Sequence, residues 1–311
     1  MTVASDIEIP DAEGTSLEQV TQSADVTVTL APVSQDFINN EKYVQITDDW
    51  GYYVNNPKHF FMHSYGYDFE IADGDSIIVD THDLDAGNPD LSTFILGSAF
   101  GVIGIQRGLI PIHGTAVVTG DASVIITGGV GSGKSTVLSS LIMDGYKYLA
   151  DDICMVFTEE GRPFVIPSYP QRKIDAKTAG ETGESVAGAT LLDESGRDKF
   201  AVRRVAEWSD ETLPLSCIIE IIPVTRKDGA AFSPEITEIT GHESLMLVLR
   251  NQYRPRFVAS IGTPPGSMKR LLEITSSVKT YRLLRPEEGF PIKETARIIA
   301  ENCFCIAENC F

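Results

Sequence analysis

No apolar run of about 18 residues occurs anywhere in the chain, so no membrane-spanning helix is expected and no membrane partner either. Basic residues are scarce. Twenty-five Lys and Arg stand against 44 Asp and Glu, a formal net charge of −19 in 311 residues. A chain this acidic lacks the phosphate-neutralising surface of a general nucleic-acid binder, so no nucleic-acid partner is expected. The acidic surface suits solubility, and it would equally attract a basic peptide or protein. Cysteine is thin: Cys154, Cys217, Cys303, Cys305 and Cys310 match no zinc spacing, and their number is odd. The first residues, Met1 to Asp6, lack a basic start and an apolar core, so no signal peptide is expected and a reducing cytoplasm is the expected compartment. Glu-Asn-Cys-Phe is written twice, at 301–304 and 308–311. It reads as a helix end or a loose tail, and its spacing supports no metal or redox role.

What the chain does have is enough apolar residue, 42%, to bury a sizeable core in one large domain or two ordinary ones. It also has Gly128-Gly129-Val130-Gly131-Ser132-Gly133-Lys134-Ser135, followed by Thr136, a full match to the phosphate-loop pattern G-x-x-x-x-G-K-[ST]. The flanks suit it. The apolar β-rich stretch 123–127 precedes the loop, and Leu138, Leu141 and Ile142 mark one face of a helix after it. Such a loop bends its backbone N–H groups onto phosphate oxygens, and the helix N-terminus adds partial positive charge. Residues 128–136 are therefore expected to cradle ATP. Lys134 would reach the β- and γ-phosphates, and the Ser135 hydroxyl would ligate Mg²⁺.

Along the chain, residues 1–35 are polar and acidic, with one strand at 27–30. Short strands are expected across 43–80, including a hairpin of 69–72 with 76–79 around Asp73-Gly74-Asp75. A helix is expected over 93–108, and strands at 109–118 and 123–127. Residues 175–198 are rich in Gly, Ala, Thr, Ser, Asp and Glu and read as a mobile loop with little core. Strands follow within 214–240 and at 278–284, with helices at 241–250 and 293–302. The fold class is α/β: a phosphate-loop nucleotide-binding core over 91–311 and a β-rich N-terminal region over 1–90.

Two features sharpen the site. His113 stands at the strand that pairs near the loop. Asp151-Asp152 follows 146–150, the strand expected after the loop helix. A βαβ unit returns the carboxyl end of its second strand to the edge that carries the phosphate loop. Both aspartates are therefore expected beside the γ-phosphate, where a Mg²⁺ ligand and a proton acceptor are useful. Arg172 and Lys173 are candidates to clamp a phosphate or an acceptor carboxylate. Arg203, Arg204, Arg250, Arg254 and Arg256 are weaker candidates for the same task.

His113-Gly114, the loop at 128–135 and Leu149-Ala150-Asp151-Asp152, in this order, resemble the HPr kinase/phosphorylase family over residues 107–155. The resemblance implies a fold like the nucleotide domain of phosphoenolpyruvate carboxykinase and the use of ATP and Mg²⁺. It also implies proton acceptance from a serine by Asp152, support of Mg²⁺ or of its neighbour by Asp151, and a holding role for His113. Homo-oligomers are common in such a family. Residues 166–174 do not match the Arg-Gly-Leu signature of its bifunctional members. Residues 108–114 and 281–283 are more similar to the branch whose members include kinases of the C-terminal serine of lasso-peptide precursors. A peptide serine kinase is the expectation. A bifunctional HPr kinase/phosphorylase, a small-molecule kinase and a nucleotide-binding regulator without transfer remain the alternatives.

Overall fold

The computed structural model describes residues 2–7, 24–34, 44–47, 50–56, 58–194, 197–226, 232–261, 264–289 and 291–304. The chain forms two compact units, Met1–Leu109 with Arg256–Ser267 and Ile110–Pro255 with Met268–Phe311. The division falls at Leu109 rather than near residue 90, because the helical stretch before it packs on the first sheet. Cys305, Cys310 and the second Glu-Asn-Cys-Phe unit lie outside the described residues. Among those described, no helix is long and apolar enough to cross a membrane.

The first unit is a seven-stranded sheet. Its strands are β1 (Val3–Ser5), β2 (Val26–Leu30), β3 (Val44–Thr47), β4 (Trp50–Asn56), β5 (His59–Ser64), β6 (Tyr67–Ala72) and β7 (Ser76–Asp80). Their order is β1-β2-β7-β6-β5-β4-β3, and the expected hairpin is β6–β7. The sequence alternates as a half-buried sheet must. Phe60, Met62, Phe69, Ile71, Ile77 and Val79 point to one face. They pack there on α1 (Pro89–Phe94), a π-helical turn (Ile95–Ala99) and α2 (Phe100–Gln106) through Leu91, Ile95, Val102 and Ile103. The other face carries the polar partners of the same strands. His59 bonds Glu70 at 2.7 Å, His63 bonds Asp68 at 2.6 Å, and His82 bonds the other Asp68 oxygen at 2.8 Å.

The second unit holds the glycine-rich loop 128–133. Strand β8 (Ile110–Thr119) pairs antiparallel with β9 (Ala122–Thr127), and β9 runs parallel to β16 (Leu213–Val224). Every residue of β9 is buried, as suits a central strand covered on both faces. The loop follows, then α3 (Lys134–Met143). Val137, Leu138 and Leu141 of α3 pack on Val124, Ile126, Ile219 and Ile221. Full burial of a Val or Leu side chain stabilises by about 1.5–3 kcal/mol, so this face anchors the helix to the sheet.

Strands β10 (Tyr148–Ala150) and β11 (Ile153–Glu159) then lie along the same strand β8. Ala150 stands opposite Ala116, and Ile153 opposite His113. They form one strand interrupted at Asp151-Asp152. As expected, β10 runs parallel to β9, but its neighbour is β8. The chain continues through β12 (Arg162–Ile166), β13 (Gln171–Asp175), α4 (Ala176–Thr182), β14 (Thr190–Glu194) and β15 (Arg197–Arg203). After β16 come β17 (Glu235–Ile239), α5 (His242–Arg250), α6 (Pro255–Ile261), α7 (Ser267–Ser277), β18 (Lys279–Pro286), α8 (Ile292–Ile299) and a π-helical end (Ala300–Phe304).

The segment 175–198 is not the coreless loop that its composition suggests. It contributes α4 and β14 to a three-stranded sheet, β13-β15-β14. Ile174, Ala179 and Val202 form a small core of their own, with Val186, Ala189 and Phe200 against it. Asp175 caps α4, accepting from Thr178 N at 2.7 Å.

One electrostatic consequence belongs to the first unit. The hydrogen bond to Asp68, with the charges of Asp68, Asp80 and Asp83, raises the pKa of His82 above its ordinary value despite some desolvation. A histidine whose folded pKa is raised adds stability that is complete below about pH 6.5 and fades as pH rises through the folded pKa. In Asp68→Asn the His82 titration midpoint, followed by NMR of its ring carbon-bound protons, is expected to drop towards about 6.5. The stability difference between wild type and variant should be larger at pH 6 than at pH 8.5. An unchanged His82 midpoint would exclude the Asp68 contact as the cause.

Candidate active site

The glycine-rich loop begins where β9 ends. Gly128 has φ +143°, and a Cβ there would stand 2.4 Å from Ile221 O. No side chain fits, so the loop can leave the sheet at this point only through glycine. The other end is the first turn of α3, whose backbone N–H groups have no partner within the helix and face the loop. Val130 at the tip is 78% exposed. Lys134 folds back onto the loop, its Nζ donating to Gly128 O at 2.9 Å and Gly129 O at 3.1 Å. Burial lowers its pKa, and the charges of Asp152 and Asp151 oppose that shift. The Thr136 hydroxyl meets Thr178 Oγ1 at 2.9 Å, which ties α3 to α4 and turns that hydroxyl away from the loop.

His113 is pinned by its backbone on both sides. Its N–H donates to Asn251 O at 2.8 Å, and its carbonyl accepts from Thr127 Oγ1 at 2.6 Å. Thr127 is the last residue before the loop, so this bond sets His113 against the loop's origin. The following residue must be glycine as well, for close approach alone and without a positive φ. A Cβ on Gly114 would lie 2.6 Å from Ile126 O in the neighbouring strand.

Asp152 sits opposite, in the interruption between β10 and β11, with φ +77°. Asp is one of the few residues with a side chain that tolerate the left-handed region. The twist brings its backbone carbonyl to His113 Nδ1 at 3.1 Å and its Oδ1 to the same nitrogen at 3.4 Å. Its Oδ2 meets Lys173 Nζ at 3.4 Å. Burial would raise the Asp152 pKa. The nearby charges of Lys173, His113 and Lys199 outweigh it and hold the carboxyl at about 2. The pKa of His113 is lowered too, by burial and by the Lys134 charge, so the ring gives up its proton more readily than an exposed histidine. A proton on Nδ1 satisfies Asp152 O and leaves Nε2 as the acceptor.

Asp151 is more deeply set and differently held. It accepts from Lys173 N at 3.1 Å, and burial, the dominant cause, raises its pKa against the opposing charge of Arg172. The two adjacent carboxyls are thus driven apart in proton affinity. A pair of this kind divides roles at a catalytic centre. Among the described residues, no three His, Cys, Asp or Glu side chains gather into a metal cage.

The two basic candidates part company. Lys173 reaches Asp152. Arg172 does not face the site: it is fully buried, and its Nη1 donates to the Glu184 carboxylate at 3.0 and 3.2 Å. Its Nη2 donates to Ser139 Oγ at 2.9 Å and Ser135 O at 3.3 Å, so it braces the three-stranded sheet against α3. The parity of β13 decides this outcome, because successive residues point to opposite faces. Arg204 joins Glu184 at 3.2 Å, and Arg256 belongs to the first unit. Arg250 closes on Glu220, which also accepts from Asn251 Nδ2 at 2.9 Å. Arg254 lies over the Tyr253 ring, 5.5 Å from its centroid.

Three groups near the site lack a sequence signal. Lys199 stands opposite Asp175 in the β13–β15 register, on the same face as Lys173, and its charge acts on His113, Lys134 and Asp152. Glu220 is in register with Thr127 on the strand beside the loop. Tyr253 places its ring 6.0 Å from that of His113. Each depends on which strands are neighbours, and no local pattern reveals that.

No family model matches the chain, and no curated protein does. Among solved structures it is similar to the Hpr(Ser) kinase/phosphatase from Coxiella burnetii. The identity is 13% over 61% of this chain and 95% of that chain, with a TM-score of 0.31. A likeness this loose leaves the reaction to be read from the residues of this chain.

Gly128→Ala is expected to destabilise the fold by about 1–3 kcal/mol or more, through backbone strain and the close approach of Ile221 O. Urea unfolding of the two proteins measures it. Gly129→Ala, where a Cβ meets nothing within 4 Å, serves as the comparison and should change stability far less.

Proposed function

We propose that the chain is an ATP- and Mg²⁺-dependent kinase that transfers the γ-phosphoryl group to a serine hydroxyl of a peptide or small protein. The observation that carries this reading is Asp152: an ionised carboxylate set by a left-handed turn between His113 and Lys173, beside the lysine of a phosphate loop.

The loop amides and the α3 N-terminus would hold the triphosphate, and Lys134 would leave the Gly128 and Gly129 carbonyls for its outer phosphates. The acceptor oxygen would attack phosphorus in line. Its proton would pass to Asp152, the bond from phosphorus to the ADP oxygen would break, and ADP would leave with the electron pair. Little covalent work falls to the protein in such a transfer, and positioning with electrostatics does most of it. A carboxylate held near 2 is a weak base alone. Arrival of a triphosphate would offset the lysine charges that hold it down, and its proton affinity would rise.

Mg²⁺ suits the donors present, since it is ordinarily held by one or two carboxylates together with substrate phosphates. Ser135 and Asp151 offer hard oxygen ligands at the loop, and a bound cation would draw the raised Asp151 pKa down. The ion would neutralise phosphate charge. In its finer form, supported by residues 108–114 and 281–283, the proposal names the C-terminal serine of a lasso-peptide precursor as acceptor. A basic acceptor peptide would also suit a chain of net charge −19.

The test is mass spectrometry of serine-bearing peptides, lasso-precursor sequences among them, after incubation with enzyme and Mg-ATP. Wild type is expected to add one phosphate to serine. Asp152→Asn should cut the rate by about 10²–10⁴ while keeping ATP affinity, whereas Lys134→Met should lose both. An Asp152→Asn enzyme with wild-type turnover would remove Asp152 as the base. ATP binding without transfer to any serine acceptor would favour a nucleotide-binding regulator.

A further inference from the structure

The phosphate loop is held from two directions. Lys134 ties its start, at Gly128 O and Gly129 O. The crown is tied by a residue 153 positions away in sequence, Arg285 at the carboxyl end of β18. Arg285 is 4% exposed. Its Nε donates to Ser132 O at 2.9 Å and its Nη2 to Gly131 O at 3.1 Å. Its Nη1 donates to Pro286 O at 2.6 Å and to Glu287 O at 3.4 Å, which locks the guanidinium to its own strand end. Strand β18 runs parallel to β16, and β16 parallel to β9, so the β18 carboxyl end reaches the edge where the loop begins.

A buried guanidinium is costly to keep unless its donors are used, and burial does lower the pKa of Arg285. Its planar fork sets its donors in one fixed plane, so Nε and Nη2 meet two successive carbonyls in a single geometry. A trans peptide points its C=O and its N–H in opposite directions. When Arg285 takes Ser132 O, the N–H of Gly133 must point to the opposite side, into the concave face of the loop. In the preceding peptide, Gly131 O goes to Arg285 while Ser132 N donates to Gly129 O at 3.1 Å and closes the turn. Two successive peptide planes are fixed before any ligand arrives.

We infer that Arg285 is a positioning residue of the phosphate site, a clamp on the rear of the loop that presets the Gly133 amide for a phosphate oxygen. The inference rests on reading the loop as an ATP site. It also divides the labour between the two cations. Lys134 braces the empty loop and must let go to meet phosphate, whereas Arg285 lies outside the cradle and keeps its bonds throughout. The ligand that needs it is the polyphosphate, and the nucleoside is indifferent to it.

The experiment compares wild type with Arg285→Met, Arg285→Lys and Lys134→Met by calorimetric titration with Mg-ATP and with inorganic tripolyphosphate. The Gly133 amide is followed by ¹H–¹⁵N NMR and folding by thermal melting. Arg285→Met is expected to bind both ligands about 10- to 100-fold more weakly, the usual loss for hydrogen bonds that involve a charged group. Its Gly133 amide should lose the downfield shift that ligand produces in wild type. Arg285→Lys, which keeps the charge and most of the volume, should fold and fall between the two. Either folded Arg285 variant binding Mg-ATP and tripolyphosphate as tightly as wild type, with the Gly133 shift intact, would overturn the clamp. If wild type binds neither ligand, the ATP site fails and the clamp with it. If wild type binds and only Lys134→Met is impaired, the ATP site stands and the clamp alone fails.

Discussion

The left-handed turn at Asp152 is the constraint on which the site depends. It breaks a strand that would otherwise run from β10 straight into β11, between the Ala150–Ala116 and Ile153–His113 pairs. Strand β8 is therefore gripped along one edge by both halves of a broken strand. Along the other edge it meets β9 and the chain end that follows α5. Because Thr127 bonds the His113 carbonyl, the break in one strand and the loop at the end of another are fixed to the same residue. The aspartate, the histidine and the loop share one rigid frame.

Charge is arranged against the grain of the molecule. The chain is strongly acidic, yet Lys134, Lys173 and Lys199 converge on one carboxylate. Lys173, His113 and Lys199 lower the pKa of Asp152, while burial raises that of Asp151. A centre like this is short of negative charge, and a polyphosphate would supply it. Arg172, Glu184 and Arg204 form an ion cluster behind α3, and the Arg172 charge also tempers the raised pKa of Asp151.

What could be read in the sequence was what is local. The loop announces itself because its glycines, Lys134 and Ser135 are contiguous, with a strand before and a helix after. The Asp pair could be placed at the loop's edge because a crossover helix returns the chain to that edge. Its left-handed turn and its place inside a strand could not be read, since Asp152 alone carries no sign of its φ. Lys199 and Arg285 were hidden because their positions follow from the order of strands in two sheets. The small core of Ile174, Ala179 and Val202 was hidden because three apolar residues spread among Gly, Thr, Ser and Glu show no period. Arg172 faces away from the site because Glu184, Ser139 and the Ser135 carbonyl, all distant in sequence, make its burial tolerable. The boundary between units moved to Leu109 because α1 and α2 bury Leu91, Ile95 and Ile103 against the first sheet.

The most direct test of the account is a crystal structure with Mg²⁺ and a non-hydrolysable ATP analogue. The account predicts the triphosphate inside residues 128–135, with Lys134 Nζ withdrawn from Gly128 O and Gly129 O to the outer phosphates. Asp152 should remain in its left-handed turn, facing the terminal phosphate beside His113. A nucleotide bound elsewhere, or a triphosphate in the loop with Asp152 turned away from it, would contradict the account.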